Sequence, residues 1–497
     1  MPNESLLSRN YGALVRRSSD GPPFDCLVVG AGSSGLTVAG TLAEAHSDLR
    51  ILVLEAGPAR FLTHIANTEL RFAQALSDSV RDEVEYSPLL SDGTTPFGPN
   101  YGCLGGRGLF WNGAAPRFPG HDFDGWPITA VDLESEYAWA EQQFRVTQQL
   151  GESPLAERII LRLRAIGLDA GPGPFAVDTG SSAPGRLAAG IASGLGVFLR
   201  QSGEAVARGQ ITLCTDTYVQ QVVVNNDGDV EGVLARQAGS GADVLKVHAR
   251  SVVLAGGAVE SARLALASNI SDPYALIGKG LQEHHFYRCR FDAPALFDRK
   301  SVDTAVVHIP STSQTGEQWE LHVPGRTLFT IGDGYDWSPS PGERYQLMLR
   351  AFCATDKNAK NSVRLPTHGT AEQVRDKLGC AAVSFVYTEE DQQRRESIRA
   401  RARQICEQLG MSAGEDIDTA DRFRGPGASY HEAGGLDMGT DPSTSVTDPD
   451  GAFHEVENLI SADAASLPLI GATNPHLTLV ALARRKALSL AEKLTAL

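Results

Sequence analysis

Residues 24–35 are Phe24-Asp25-Cys26-Leu27-Val28-Val29-Gly30-Ala31-Gly32-Ser33-Ser34-Gly35, a short apolar run that ends in three spaced glycines. The run predicts a buried strand, and the residues after it predict a helix that begins at the glycines. Gly30 permits a tight turn, Gly32 lets the backbone approach a pyrophosphate, and Gly35 lets the helix pack against the sheet. The phosphates would lie on the helix N-terminus, where free N–H groups and the helix dipole favour negative charge.

A second predicted strand, Leu52-Val53-Leu54-Glu55-Ala56-Gly57, places Glu55 at its end, 20 residues after Gly35. A carboxylate at this position accepts hydrogen bonds from the ribose hydroxyls of a dinucleotide and repels a 2′-phosphate. The pattern therefore predicts an adenine dinucleotide site and disfavours NADP. The glycines alone do not distinguish NAD from FAD.

Further apolar runs indicate that the nucleotide-binding fold is assembled from separated segments. Some predict strands of the main sheet and others a small hairpin layer over it; they lie at 211–213, 218–224, 232–235 and 248–258. At 497 residues the chain is also too long for one ordinary core, so two joined domains are expected. We predict an α/β fold whose Rossmann-like domain comprises residues 20–290 and 420–497.

Residues 291–419 have a different pattern. Alternation over 345–352 predicts a strand, and residues 332–339 mix aromatic with turn residues. A charged amphipathic helix is predicted from Glu389 to Leu409, at the surface. We expect this region to be an inserted α+β substrate-binding domain built on an antiparallel sheet.

The composition argues against several functional classes. The net charge of −16 disfavours binding to nucleic acid and to anionic membranes. The chain has no apolar run long enough to span a membrane, and its first residues lack the pattern of a signal peptide, so we expect a cytoplasmic protein. The seven cysteines are scattered without close pairs, which predicts buried thiols and no metal site.

Polar and glycine-rich segments follow the N-terminal turn in a characteristic order, at 101–113, 277–284, 429–439, 458–463 and 471–478. Together with that turn, they resemble the glucose-methanol-choline (GMC) family of flavin oxidoreductases. Trp111, Ala114 and residues 116–118 and 431–434 are similar to the pyranose-oxidase-like branch of the family. The resemblance spans nearly the whole chain and implies that the dinucleotide is FAD.

The resemblance also implies which residues contact FAD. They are Gly30, Gly32, Ser33, Ser34, Gly35, Glu55, Ala56, Arg107, Gly108, Asn112, Gly113, Ala114, Val219, Asp463, Ala464, His476, Leu477 and Thr478. In fungal pyranose oxidases a histidine bonded covalently to the flavin precedes the tryptophan; Phe110 stands there in this chain, so we expect noncovalent, dissociable FAD. Asn112 replaces a threonine associated with oxygen chemistry, so the electron acceptor is oxygen or another compound.

By the same resemblance, His431 is the general base and Asn474 is the hydrogen-bond partner of the substrate oxygen. The pKa of an unperturbed histidine lies near neutral pH, which suits removal of a hydroxyl proton. His476 is an alternative to Asn474, and we expect only one of the two to face the flavin, because residues two apart on a helix point in different directions. His284 and His285 are expected to be structural.

These residues predict an FAD-dependent oxidoreductase that oxidises a CH–OH group of a sugar or glycoside to a carbonyl. The base removes the hydroxyl proton, and flavin N5 accepts the hydride. Two alternatives stay open. One is oxidation of a nonsugar biosynthetic alcohol with an acceptor other than oxygen; the other is the reaction of the family's hydroxynitrile lyases, in which FAD is structural.

Overall fold

The computed structural model describes residues 22–67, 85–86, 89–90, 97–98, 100–178, 190–238, 244–268, 270–297, 305–323, 346–366, 381–411 and 423–495. The strands are β1 (Cys26–Val29), β2 (Ile51–Leu54), β3 (Glu85–Tyr86), β4 (Leu89–Leu90), β5 (Asn100–Tyr101), β6 (Val146–Thr147), β7 (Gly171–Pro172), β8 (Phe175–Ala176), β9 (Ile211–Cys214), β10 (Thr217–Val224), β11 (Val230–Gln237), β12 (Leu245–His248), β13 (Val252–Leu254), β14 (His284–Asp292), β15 (Val306–Ile309), β16 (Glu317–His322), β17 (Gln346–Ala354), β18 (Ser362–Arg364), β19 (Ala382–Ser384) and β20 (Leu459–Ser461). The helices are α1 (Ser33–Ala45), α2 (Glu134–Phe144), α3 (Pro154–Arg164), α4 (Gly194–Ala207), α5 (Ala258–Ala267), α6 (Glu389–Gln408) and α7 (His476–Thr495). Among these described helices, none combines the length and the apolar character needed to cross a membrane.

A five-stranded parallel sheet in the order β20-β13-β1-β2-β9 forms the centre of the Rossmann-like domain. Its strands are short apolar runs that are almost entirely buried, as is typical of a parallel sheet covered on both faces. Val28 of β1 pairs with Val53 of β2 on one side and with Val253 of β13 on the other. The sheet is discontinuous in sequence, as predicted, because β20 comes from the C-terminal part of the chain.

Different layers cover the two faces of this sheet. On one face Val28 and Val53 pack in a core with Leu36 of α1 and Leu490 of α7. On the other face lie α5 and the antiparallel sheet β10-β11-β12. In the turn between β10 and β11, the amide oxygen of Asn225 accepts hydrogen bonds from the backbone N–H groups of Asp227 and Asp229, each at 2.9 Å. The predicted hairpin layer is therefore confirmed.

The second large sheet is antiparallel, in the order β14-β17-β16-β15-β7. Helices α3 and α6 cover one face, where Ile159 and Ile398 pack with Leu349. The predicted antiparallel sheet is thus present, and α6 places its apolar stripe in this core. The domain boundaries at 291 and 419 stay a prediction; β14 runs across residue 291, and β7 joins the sheet from residues 171–172. The segment 332–339 lies outside the described residues.

Candidate active site

A cavity of about 430 Å³ lies between the carboxyl ends of the parallel strands and the antiparallel sheet. Most of the residues predicted at the site line it: Gly30, Gly32, Ser33, Ser34, Glu55, Ala56, Arg107, Gly108, Asn112, Ala114, Val219, His431, Asp463, Ala464, Asn474 and His476. The fold therefore gathers motifs from both ends of the chain at one place. Residues that the sequence did not predict complete the wall, and among them are Phe286, Arg350, Phe352 and Arg424.

Gly35, Gly113, Leu477 and Thr478 were predicted at the site but do not line the cavity. Gly35 has the packing role expected of it, because a Cβ there would lie 2.0 Å from the carbonyl oxygen of Gly30. Leu477 is buried in the hydrophobic core, and the hydroxyl of Thr478 lies 2.7 Å from that of Tyr137. The side chains of Leu477 and Thr478 thus anchor the start of α7 rather than face the cavity.

The start of α1 has the features of a phosphate site. Gly32 is the N-cap residue, no side chain caps the helix, and a Cβ at this position would meet nothing within 4 Å. The Ser33 hydroxyl is buried without a hydrogen-bond partner among the described residues. Uncapped N–H groups, an open space and an unpaired hydroxyl form a cradle that an anionic pyrophosphate would fill.

Glu55 lies at the end of β2 on the wall of the cavity. Its two carboxylate oxygens accept hydrogen bonds from the backbone N–H groups of Ala31 and Gly57, each at 2.9 Å. Burial raises the pKa of Glu55 to about 7, although these two N–H donors act in the opposite direction. The glycine turn thus holds this carboxylate in place, at the position expected for a ribose partner.

Asp463 borders the cavity but is tied to the protein. One carboxylate oxygen accepts hydrogen bonds from the Gly257 N–H at 2.7 Å and the Ser261 hydroxyl at 2.6 Å, and the other accepts from the Ala465 N–H at 2.9 Å. Burial raises the pKa of Asp463 above its ordinary value. The side chain joins β20 to the start of α5 and so shapes this part of the wall.

Arg107 also has a fixed partner. Its guanidinium forms a two-point ion pair with the Glu432 carboxylate, in which Nη2 lies 2.9 Å from Oε1, and Nη1 contacts Oε2. Glu432 follows His431, so the pair connects the 101–113 loop to the segment that carries the predicted base. The charge of Arg107 contributes to the lowered pKa of His431, after burial and the neighbouring His284.

His431 borders the cavity and is otherwise enclosed by protein. Its Nδ1 lies 2.8 Å from Nδ1 of His284, and its ring centroid lies 5.3 Å from that of Phe352. Burial lowers the pKa of His431 well below its ordinary value, which keeps the ring neutral at pH 7. A neutral imidazole is the form that accepts a proton.

Asn474 is 3% exposed and accepts a hydrogen bond at Oδ1 from the Gln318 amide on β16. Gln318, the partner of Asn474, pairs with Phe352 across β16 and β17. The ring of Phe352 in turn contacts the ring of His431. Both His431 and Asn474 are therefore next to the paired strands β16 and β17 of the antiparallel sheet.

His476 lines the cavity as well as Asn474. That only one of the two faces the flavin stays a prediction. The His476 ring stacks on Trp111 at a centroid distance of 3.8 Å, and burial lowers its pKa to about 3. Burial therefore disfavours a positive charge on this ring. The surroundings of Asn474 are polar by comparison, which favours it as the partner of a substrate oxygen.

His284 and Gln318 contact the two candidate active-site residues, and sequence reasoning missed both contacts. His284 was expected to be structural, yet it contacts His431, and Gln318 contacts Asn474. His284 ends the 277–284 segment, but nothing in that segment marks a contact with His431, and no local motif marks Gln318. The only sequence signal is strand alternation, which places His284 on the same face of β14 as Phe286.

Two family models described as GMC oxidoreductase match the chain, at residues 198–286 and 358–483. The C-glycoside 3-oxidase of Arthrobacter globiformis is 30% identical over an alignment of 521 positions, which covers 95% of each protein. The chain belongs to the GMC oxidoreductase family. It is accordingly an FAD-dependent alcohol oxidoreductase, as the sequence motifs predicted.

Two further comparisons place this GMC oxidoreductase among its relatives. Pyranose 2-oxidase of Tricholoma matsutake is 27% identical over 323 residues, 57% of this chain and 54% of that protein. Among solved structures, formate oxidase of Aspergillus oryzae RIB40 matches with a TM-score of 0.69 and 14% identity, over 95% of this chain and 99% of that chain. The structural likeness shows the fold, and the predicted Rossmann-like FAD-binding fold is confirmed.

Proposed function

We propose that this GMC oxidoreductase oxidises a CH–OH group of a sugar or glycoside to a carbonyl, with His431 as the general base and Asn474 as the hydrogen-bond donor to the substrate oxygen. The observation that carries the proposal is the placement of a neutral imidazole and a buried amide on the wall of one cavity. The choice of a sugar or glycoside is supported by the names of the relatives, a C-glycoside 3-oxidase and a pyranose 2-oxidase.

The proposed roles divide the cavity into two ends. At the nucleotide end, the N–H groups of α1 and the Ser33 hydroxyl would hold the pyrophosphate, and Glu55 would accept hydrogen bonds from the ribose. We propose that FAD binds noncovalently, because Phe110, which lines the cavity, has no atom able to form the covalent bond of fungal pyranose oxidases. When bound, FAD supplies the hydride acceptor for the reaction.

At the substrate end, the protein handles the proton. The neutral ring of His431 takes the proton of the substrate hydroxyl as the oxygen becomes a carbonyl oxygen. Asn474 donates an N–H to the same oxygen and stabilises the negative charge that develops on it. Oxygen is the acceptor that the names of the relatives favour for reoxidation.

The proposal is tested by recording the visible spectrum of the purified protein anaerobically while adding sugars, C- and O-glycosides, amino sugars and simple alcohols one at a time. Bleaching of the flavin band by a sugar or glycoside, and its absence in the His431→Asn variant, would support the proposal. Return of the colour on admission of air would identify oxygen as an acceptor.

Two other results would replace the proposal. Bleaching by nonsugar alcohols alone would assign oxidation of another class of alcohol. No bleaching by any compound, together with release of cyanide from a cyanohydrin, would assign the lyase reaction. The cyanohydrin is therefore included in the same panel.

A further inference from the structure

His284 begins β14 and touches the proposed base directly. Because side chains alternate along a strand, its ring lies on the cavity side of the sheet, whereas the ring of His285 lies on the other side, 3.1 Å from the Asp391 carboxylate. His284 Nδ1 is 2.8 Å from His431 Nδ1, and His284 Nε2 is 3.1 Å from the carbonyl oxygen of Gly471. The two rings and this carbonyl therefore form one hydrogen-bonded chain.

The Gly471 carbonyl determines which ring nitrogen carries the hydrogen in His284 and in His431. The Gly471 oxygen can only accept, so His284 Nε2 carries a hydrogen and donates it. In a neutral ring the other nitrogen, His284 Nδ1, is then an acceptor, and His431 Nδ1 must donate to it. A neutral His431 with its hydrogen on Nδ1 has a lone pair on Nε2.

We propose that His284 is a positioning residue, which holds His431 in the tautomer that presents the Nε2 lone pair to the substrate hydroxyl. The inference rests on the proposed function of His431 as the base and adds the device that orients it. It follows from the contacts of two residues that are 147 positions apart in sequence.

In this step one proton moves from the substrate hydroxyl to His431. The hydroxyl proton of the substrate forms a bond to His431 Nε2, while the hydrogen on Nδ1 stays in place and the ring becomes an imidazolium. Its positive charge is stabilised by the Nδ1–H bond to His284, which in turn is polarised by the Gly471 carbonyl. Burial lowers the pKa of His284 to about 3, so His284 remains the neutral acceptor throughout.

Two substitutions separate this role from a structural one. His284→Asn keeps an oxygen close to the place of Nδ1 and preserves an acceptor for His431. His284→Leu fills similar space but leaves His431 Nδ1 without a partner from this side chain. His285→Asn is the matched control, since it changes a buried histidine of the same strand that lies on the opposite face.

The first measurement is the tautomer itself. In holoenzyme labelled with ¹⁵N-histidine, long-range ¹H–¹⁵N spectra distinguish a ring with its hydrogen on Nδ1 from one with its hydrogen on Nε2, and loss of a signal in His431→Asn identifies residue 431. We expect the Nδ1–H form in the wild type, in His284→Asn and in His285→Asn, and a mixture of forms in His284→Leu. An Nε2–H form of His431 in the wild type would overturn the inference.

The second measurement is the rate of flavin reduction at saturating sugar under anaerobic conditions. We expect His284→Leu to lower this rate by about 10- to 100-fold, because a buried donor loses its acceptor. His284→Asn should recover most of the loss, and the substrate dissociation constant should change little. Equal losses in His284→Leu, His284→Asn and His285→Asn would show a merely structural effect and overturn the inference.

The spectra need no substrate, so the two proposals fail separately. If no alcohol reduces the flavin but the wild-type tautomer is Nδ1–H, the proposed reaction fails while the arrangement of His284 and His431 stands. If a sugar reduces the flavin but the tautomer is Nε2–H, the reaction stands and the role of His284 is lost.

Discussion

Gln318 on β16 donates a hydrogen bond to the amide oxygen of Asn474, which precedes α7 and lies 156 residues later in the chain. The same Gln318 nitrogen lies 3.3 Å from Oε1 of Glu320, an acceptor of hydrogen bonds when ionised. Burial opposes ionisation of Glu320, but His322, whose Nε2 lies 3.4 Å from Oε2, and the charges around it lower the pKa of Glu320 below the ordinary value. The Gln318 amide therefore points its NH₂ at the Oδ1 of Asn474, and the NH₂ of Asn474 could donate to the substrate oxygen of the proposed reaction.

Gln318→Leu should weaken the donor role of Asn474. Removing the NH₂ leaves the buried Oδ1 of Asn474 unpaired, a loss of about 1–3 kcal/mol that corresponds to a roughly 5- to 150-fold slower flavin reduction. Stopped-flow reduction by the identified sugar measures the effect. Gln346→Leu, at the start of the neighbouring strand β17, is the control and should leave the rate unchanged. A Gln318→Leu rate equal to the wild-type rate would contradict this role for Gln318.

His431→Asn should slow flavin reduction by about 10²- to 10⁴-fold, the usual contribution of a general base. FAD should remain bound, because the nucleotide cradle at α1 lies at the other end of the cavity. The flavin absorbance per protein measures cofactor content, and anaerobic stopped-flow measures the rate. A variant that keeps its FAD and its full reduction rate would remove His431 from the mechanism.

The pH dependence of reduction should reflect the lowered pKa of His431. Burial keeps the ring neutral below the ordinary histidine pKa of about 6.5, so the base-competent form is already populated at that pH. As pH falls, activity is lost only when the ring is protonated, at values well below 6.5. We expect a constant reduction rate from pH 6.5 to 8. A titration of the rate with its midpoint at or above 6.5 would be inconsistent with this environment.

Two glycines of the same turn should respond differently to alanine. Gly32 has a φ of −72°, and its added Cβ would meet no protein atom within 4 Å, so Gly32→Ala should fold with an unchanged melting temperature in the apoprotein. It should lose FAD, because the methyl group would occupy the space of the pyrophosphate. Gly35→Ala should destabilise the apoprotein itself, since its Cβ would lie 2.0 Å from the Gly30 carbonyl oxygen. Thermal unfolding and FAD titration separate the two effects; normal FAD affinity in Gly32→Ala would argue against the proposed cradle.

The flavin should dissociate when the protein is denatured. By the sequence resemblance, Phe110 stands where fungal pyranose oxidases have the flavin-bonded histidine, and a phenylalanine ring cannot form that bond. Precipitation with trichloroacetic acid should therefore leave the yellow colour in the supernatant, where its spectrum and mass identify FAD. A flavin that stays in the protein pellet would mean a covalent attachment at another residue.

Much of the fold was predictable from contiguous residues. The glycine turn, the strands β1, β2, β9, β10 and β13, and the apolar stripe of α6 follow from local spacing, because turn geometry and burial act on neighbouring residues. The predicted family followed in the same way from short motifs. Leu477 and Thr478 do not line the cavity, and a motif does not say which side of a helix faces inward. Their contact with FAD stays a prediction.

The sequence by itself determined the nucleotide turn, the membership of the GMC oxidoreductase family and the choice of His431 and Asn474 as candidate active-site residues. Only the tertiary structure decided that His284 contacts the first and Gln318 the second. These contacts join strands of the antiparallel sheet to segments near the C-terminus, and they depend on strand register. A shift of one residue would turn His284 and Gln318 to the opposite face of their strands, and the partner that each side chain meets there comes from a distant part of the chain.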